Sequence, residues 1–230
     1  MSKFTALALI FLGLCPALEA QSSFRIHAMA LTTSERFELS PEVIGYQPER
    51  SQSYGSQVSA QWVSKIRIGA IAGVMWQTLS NNDDRYYDEL QELRHEAEGN
   101  SDRSLEFIAG ASYHVFPEDK SVQIELRALG GYRNLSLGQQ TETYISTVTY
   151  QQEQRTYQFE QQGGWVFMPG IVFEVRPQES PIGGVLQISS WHASSQQDLQ
   201  VLSDDGQERI ESFRMKSNGV SLAVGLVYAF

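Results

Sequence analysis

The last stretch of the chain alternates between large apolar residues and small ones. From residue 220 to residue 230 it reads VSLAVGLVYAF, so one face carries Val, Leu, Tyr and Phe, and the other carries mainly Ser, Ala and Gly. A period of two is typical of a β-strand that lies between two different environments. About 9–11 residues suffice for a tilted strand to cross a bilayer. The segment is therefore predicted to be a membrane-crossing strand whose small face lines a narrow interior.

The same alternation recurs along the rest of the chain. The clear runs are 66–76, 105–115, 122–133 and 165–175, and the weaker runs are 24–32, 56–64 and 184–194. Together with the last run they make eight predicted strands. Pro169 falls inside one of them and cannot donate a ladder hydrogen bond, so we expect a bulge or a break in pairing at that point.

The connections between these runs alternate in length. The short ones are 64–65, 117–120 and 177–183, and the long polar ones are 33–55, 80–103, 134–160 and 195–218. An up-and-down membrane barrel has short periplasmic turns and long extracellular loops, whereas a soluble sandwich has no reason to sort its connections in this way. The pattern predicts an all-β, antiparallel, up-and-down transmembrane β-barrel of eight strands.

The long connections also contain regular patterns of their own. Residues 88–97 place Leu90, Leu93 and Ala97 on one face of a possible short helix. Residues 144–159 and 199–213 each read as a hairpin that continues beyond the membrane, the second around an Asp-Asp-Gly turn.

The first twenty residues have the layout of a secretory signal peptide. Lys3 gives a basic start, residues 4–14 are apolar, and small residues lead to Ala20, after which we predict cleavage. The rival interpretation is a lipoprotein signal at Cys15, but Leu14 occupies the place where a small residue is needed. The predicted organisation is thus a signal peptide over 1–20 and an outer-membrane β-barrel domain over 21–230.

Composition narrows the choice of partners and compartment. The net charge of −10 argues against nucleic acid, which requires a basic footprint. The single cysteine lies in the predicted signal peptide, so a disulfide framework is excluded for the exported domain. No run after residue 20 is apolar for long enough to form a membrane-spanning helix.

The C-terminal strand resembles the terminal signal that outer-membrane barrels present to their assembly machinery, through Leu226, Tyr228 and Phe230. The region after the signal peptide resembles the small porin-like, eight-stranded surface barrels of Gram-negative bacteria. This resemblance implies a location in the cell outer membrane, contact with outer-membrane lipid, and insertion by the barrel insertion machinery through the C-terminal strand. It does not fix an activity. The partner of the extracellular loops is unknown, and no cofactor, metal or nucleic acid is expected.

Charged residues alternate with the lipid-facing residues and are predicted to line the lumen. They are Arg25, Arg67, Glu106, His114, Glu125, Arg127, Arg133 and Glu174. Charges can lie there only if they are paired or hydrated. Because an eight-stranded interior is just wide enough for side chains to fill it, we expect a salt-bridge network, with an ion-selective pore as the alternative.

Aromatic residues near the predicted strand ends are expected to form interfacial girdles. They are Trp62, Trp76, Tyr113, Tyr132 and Trp165.

The sequence His192-x-Ser194 resembles part of the His-x-Ser motif of outer-membrane lipid A deacylases. That motif continues with Asn, where this chain has Ser195, and the downstream Glu208 and Glu211 fall in the second predicted hairpin. We therefore expect a non-enzymatic envelope barrel with a charged, filled lumen. The alternatives are a small ion or solute pore, a lipid A-modifying hydrolase, and a soluble secreted barrel that binds a small ligand.

Overall fold

The computed structural model describes residues 23–40, 50–80, 85–88, 93–99, 102–117, 120–146, 148–160, 163–177, 180–203 and 208–230. The predicted signal peptide lies outside these residues. In this part of the chain, no helix is long and apolar enough to cross a membrane. The strands are β1 (Ser23–Ser40), β2 (Arg50–Val63), β3 (Ile68–Ser80), β4 (Arg85–Asp88), β5 (Leu93–Gly99), β6 (Asp102–His114), β7 (Val122–Ser136), β8 (Gln140–Ser146), β9 (Gln152–Glu160), β10 (Gly163–Val175), β11 (Ile182–Ser203) and β12 (Glu208–Ala229).

Eight of these strands form a closed antiparallel barrel. Going round the wall, the order is β1, β2, β3, β6, β7, β10, β11 and β12, and β12 pairs back with β1. The backbone N–H of Phe230 donates to the carbonyl oxygen of Phe24 at 2.9 Å and extends this closing seam. The predicted fold class and strand count are confirmed.

The alternation read from the sequence sets the two faces of the wall. Along β1, alternate residues from Arg25 to Phe37 point into the lumen and are buried, while most of their neighbours face outward and are exposed. A slip of one residue would turn every charge of this strand toward lipid, so the burial pattern fixes the register. Ser23, Phe230 and the short turns lie at one end of the barrel, called here the turn end; the opposite end is the loop end.

Several strands run further toward the loop end than the sequence patterns predict. β11 and β12 each contain 22 residues and pair from Ile182↔Tyr228 to Leu202↔Glu208. At roughly 3.3 Å per residue, such strands extend well beyond a hydrocarbon core about 30 Å thick. Much of the predicted connections 33–55 and 195–218 is therefore strand, because the period of two continues there in more polar residues.

A second set of strands extends the wall at the loop end. β9 pairs with the outer part of β11, and β8, β5 and β4 follow in order. The two predicted hairpins are confirmed as β8–β9 and β11–β12. The predicted helix over 88–97 is wrong where the chain is described, because β5 pairs with β8 from Leu93↔Ser146 to Gly99↔Gln140. Cross-strand pairing here overrides local helical spacing.

Pro169 breaks the ladder on one side only. It pairs with Ala128 of β7, but within the described lengths of β10 and β11 the pairing passes from Phe167↔His192 directly to Gly170↔Ser189. The missing N–H of proline accounts for the break, as the sequence predicts.

Two adjacent glycines of β7 provide a matched test of wall packing. A Cβ on Gly131 would collide with the backbone of Phe107 in β6, whereas the nearest heavy atom to a Cβ on Gly130 is the carbonyl oxygen of Val166 at 3.8 Å. We expect Gly131→Ala to lower the free energy of unfolding by about 1–3 kcal/mol, because β6 and β7 must separate. Gly130→Ala should change it by no more than about 0.5 kcal/mol. Urea titration of the barrel in lipid vesicles measures the free energy of unfolding of both variants. Equal losses would show that the close approach of β6 to Gly131 does not matter for stability.

Candidate functional site: the barrel lumen

The lumen begins at the turn end with a buried ion pair. Nη1 of Arg25 donates to Oε2 of Glu174 at 2.6 Å. Nε of Arg176 lies 3.9 Å from the other oxygen of Glu174. Arg25 lies on β1 and Glu174 on β10, three strands apart round the wall, so the pair crosses the interior.

The next layer is organised around Arg127. Its Nε and Nη2 donate to the two oxygens of Glu125 at 2.6 Å and 3.1 Å, a bidentate pair. Its Nη1 donates to Oε1 of Gln187 at 3.0 Å, and its Nη2 lies 3.1 Å from Nε2 of His27. One guanidinium thus ties together β1, β7 and β11.

Gln61 continues this polar layer toward the other wall. Its amide nitrogen donates to Oγ of Ser112 at 2.8 Å and to Oε1 of Glu125 at 2.9 Å. The same nitrogen lies 3.0 Å from Nε2 of His114, which is 3.7 Å from Oε2 of Glu125. The carboxylate of Glu125 therefore receives contacts from both sides of the barrel.

A layer of apolar side chains fills the middle of the lumen. Its buried members are Met29, Leu31, Ile71, Met75, Ile108, Leu129, Val166, Met168, Val172, Val185, Trp191, Ala193 and Ala223. The indole of Trp191 is fully buried, and its Nε1 donates to Oγ of Ser217 at 3.2 Å. This layer separates the polar groups of the turn end from those further along.

Arg133 forms the second polar layer. Its Nη1 and Nη2 bind the two oxygens of Glu35 at 3.0 Å and 3.2 Å, and its Nε lies 3.2 Å from Oε1 of Glu106. Nη1 also donates to Oγ of Ser217 at 3.1 Å, and the guanidinium carbon lies 5.1 Å from the ring centroid of Trp191. One buried cation therefore contacts two buried carboxyl groups and packs on an aromatic ring.

A second apolar cluster covers Arg133 at the loop end. Its buried members are Phe37, Leu79, Leu135, Leu137, Tyr157, Leu199, Phe213 and Met215. Tyr157 comes from β9, outside the eight-stranded ring, so the extension of the wall helps to fill the mouth. Buried polar and apolar layers thus alternate along the lumen.

The structure places most of the predicted lumen charges in the barrel interior. Those buried in the interior as predicted are Arg25, Glu106, His114, Glu125, Arg127, Arg133 and Glu174. The prediction for Arg67 is wrong. β3 begins at Ile68, so Arg67 lies in the preceding turn with a φ of 66°. There its Nη1 donates to the carbonyl oxygen of Val115 at 2.8 Å, and the guanidinium lies 5.5 Å from the ring centroid of Tyr113.

Glu35 is a charged lumen residue that the sequence patterns do not identify. It falls in the predicted long connection 33–55, whose residues are mainly polar. The available signal was the continued alternation of Thr33, Glu35 and Phe37, all of which are buried. The buried face of this part of β1 contains polar residues, so hydrophobicity does not indicate a strand there, although the period of two does.

The outward face of the barrel carries a wide apolar belt. On β12 it includes the exposed side chains of Val220, Leu222, Val224, Leu226 and Tyr228, and Phe230 continues it. The predicted girdle aromatics Trp76, Tyr113, Tyr132 and Trp165 are exposed on this face, and Trp62 is partly exposed. A continuous apolar face of this size is unstable in water, so it requires a covering of lipid.

The C-terminal residues close the belt at the turn end. The ring of Phe230 lies 4.7 Å from that of Tyr228 and 5.7 Å from that of Phe24, centroid to centroid. Leu226 is exposed on the same outward face. The three residues of the proposed assembly signal therefore form one lipid-facing row.

His192 and Ser194 also lie on the outward face, but the hydrogen bonds of His192 go elsewhere. Its Nε2 is 2.8 Å from Oγ of Ser190, and its Nδ1 is 2.9 Å from Oδ1 of Asn218. Both of these partners of His192 lie outside the His-x-Ser motif.

Neither a known family model nor a curated protein matches the sequence. Among solved structures, the chain is similar to a major outer membrane protein from Thermus thermophilus, at 14% identity over 92% of this chain and 100% of that chain, with a TM-score of 0.48. It is also similar to Ail, the attachment invasion locus protein of Yersinia pestis, solved with the heparin analogue sucrose octasulfate, at 11% identity, 92% and 100% coverage and a TM-score of 0.42. The outer membrane protease OmpT from Escherichia coli matches at 11% identity, 91% and 96% coverage and a TM-score of 0.35.

An all-antiparallel wall that closes on itself has no open edge, and it satisfies its backbone polar groups without water. Here that wall carries an apolar belt outside and paired charges inside. The chain therefore has the architecture of a transmembrane β-barrel, closed by eight antiparallel strands.

Proposed function

We propose that the protein is an envelope barrel whose filled lumen does not conduct ions or solutes, and that its role depends on its outer surface and its extended loop end. The observation that carries this proposal is the alternation of filled polar and apolar layers along the lumen. An ion would have to pass the apolar layer around Trp191 and then displace Arg133 from Glu35 and Glu106. Both steps would oppose conduction, since a pore requires a continuous polar path.

The same proposal includes delivery and orientation. Residues 1–20 direct export and are removed, and the row of Leu226, Tyr228 and Phe230 is read by the barrel insertion machinery. The turn end then faces the periplasm, and the long strands β11 and β12 project outside the cell. This assignment rests on the usual placement of short turns and long loops in such barrels.

Planar-bilayer recording of the purified, folded protein tests the closed lumen. We expect no step conductance, because buried polar and apolar layers alternate along the interior. A known open porin, reconstituted from the same detergent, shows that the preparation permits fusion. Reproducible unitary steps from the folded barrel would overturn the proposal and favour the small pore.

The alternative of a soluble secreted barrel that binds a small ligand has a separate test. Migration on an unboiled gel should differ from that of the boiled sample when the protein is folded in detergent, because a closed barrel resists detergent until it is heated. Folding in plain buffer without detergent would contradict the lipid-facing assignment of the belt.

A further inference from the structure

Three polar side chains form a hydrogen-bonded row on the outward face of β11 and β12. Oγ of Ser190 lies 2.8 Å from Nε2 of His192, and Nδ1 of His192 lies 2.9 Å from Oδ1 of Asn218. If the amide oxygen of Asn218 accepts from Nδ1–H, then Nε2 is left to accept the hydroxyl proton of Ser190. A hydroxyl, a base that receives its proton, and a third group that orients the base are the parts of an activated serine.

The register supports this arrangement independently of the side-chain distances. Ser190 and His192 are two residues apart on one strand, so they share a face. His192 is directly opposite Asn218 on β12. The row is therefore fixed by a ladder that runs the length of both strands, and the wall does not have to rearrange to assemble it.

The depth of the row on the barrel indicates what it can act on. Reading outward along paired positions, Ile188↔Leu222 is apolar, Ser190↔Val220 and His192↔Asn218 hold the polar row, and Ser194↔Lys216 brings a cation. Arg36 of β1 pairs with Asn218 on its other side. The face thus passes from acyl-chain surroundings through the polar row to exposed cations.

This order matches the order of groups in an anionic membrane lipid. Acyl chains lie deepest, the ester carbonyls come at the boundary, and the phosphate lies outermost, where basic side chains attract it. From this juxtaposition of Ser190, His192 and Asn218 at the boundary, we propose that the outer surface is a serine esterase site for the acyl ester of an anionic lipid. The assignment is independent of the closed lumen and goes beyond the proposed envelope role.

The reaction requires only water as co-reactant. Oγ of Ser190 attacks the ester carbonyl carbon while its proton passes to Nε2 of His192. The tetrahedral intermediate expels the alkoxide of the lipid, which takes that proton, and leaves an acyl ester on Ser190. Water then attacks this ester with His192 again as base, which releases a fatty acid and restores the serine hydroxyl. Asn218 is a positioning residue, since it holds the imidazole and does not touch the substrate.

The resemblance to lipid A deacylases would place the nucleophile at Ser194, and the structure places it at Ser190. Ser194 lies on the same strand face, two residues beyond His192, and so provides a matched control. The proposal departs from the expectation that the chain is not an enzyme, and the two serines let one experiment decide between the nucleophiles.

The test uses the full barrel, folded in detergent and checked by its heat-modifiable migration. A fluorophosphonate probe should label the wild-type protein and Ser194→Ala, but not Ser190→Ala. In vesicles, fatty-acid release should fall about 10²–10⁴-fold in His192→Ala, the range expected for loss of a general base. Asn218→Ala should lower kcat with KM unchanged, which a merely structural role would not produce.

Two vesicle compositions distinguish the sources of the ester, since phosphatidylglycerol and lipid A both combine an acyl ester with phosphate. Release from either one supports the proposal and names the substrate. Three results would overturn it. They are no labelling of the folded wild-type barrel, labelling that is lost in Ser194→Ala but kept in Ser190→Ala, and no release of fatty acid from either vesicle composition.

Discussion

Arg133→Ala is expected to lower the free energy of unfolding by about 3–5 kcal/mol, the cost of breaking a buried ion pair by removing one partner. Arg133 holds Glu35 through two hydrogen bonds at 3.0 Å and 3.2 Å and lies 3.2 Å from Glu106. Both carboxyl groups are buried, so removal of the guanidinium leaves them without the cation that compensates their burial. Urea titration of the barrel in lipid vesicles measures the loss.

Arg209→Ala is the matched control for Arg133. Nε of Arg209 lies 2.5 Å from Oε1 of Glu211, but the arginine side chain is 69% exposed. Exposed ion pairs contribute about 0–1 kcal/mol, so the free energy of unfolding of this variant should differ little from that of the wild type.

A triple replacement of Arg133, Glu35 and Glu106 by leucine separates the effect of ion pairing from that of packing, because replacing a whole buried cluster by apolar residues is often neutral. If Arg133→Ala lowered the free energy of unfolding no more than Arg209→Ala does, the ion pairs of Arg133 with Glu35 and Glu106 would not stabilise the barrel more than an exposed pair.

Trp191→Ala is expected to cost about 3–5 kcal/mol through the cavity that it leaves in the lumen. The indole lies among the side chains of the central apolar layer, supports the guanidinium of Arg133 at 5.1 Å, and donates to Oγ of Ser217 at 3.2 Å. The barrel wall is held by backbone ladders and cannot collapse inward to fill the space. The same urea titration gives the loss, and the cavity should also make the lumen more permeable in planar-bilayer recordings.

Trp165→Ala controls for the loss of an aromatic residue as such. Trp165 is 55% exposed on the lipid face, where acyl chains can fill the space that it leaves. Its replacement should cost clearly less than that of Trp191. Equal losses in the free energy of unfolding would mean that the side chains around Trp191 are loosely packed. That result would also argue against the proposed closed lumen.

The sequence predicted the barrel because a period of two is a local property that each strand carries by itself. The faces of Arg25, Glu125 and Glu174 followed directly from it. The extent of the strands did not, because residues 33–55 lose apolar character while their alternation continues. The error at Arg67 arose from a boundary misplaced by two residues, which put a turn residue on a strand face.

Partners across the lumen could not be predicted in the same way. Arg133 and Glu35 are 98 residues apart, and only the closure of the wall brings them together. Ser190 and His192 were near in the sequence, but the role of Asn218 depends on the register between β11 and β12. Local patterns therefore identified which residues face each way, and the topology decided which of them meet.

The seam between β1 and β12 has a consequence for biogenesis. Arg25 pairs with Ala229, so β1 acquires its second neighbour only when β12 forms. Until then β1 presents an open edge, which is a template for pairing with other chains. Contacts between such distant segments also form slowly. Closure of this seam therefore completes the barrel and also removes the edge at which an unfinished chain would aggregate.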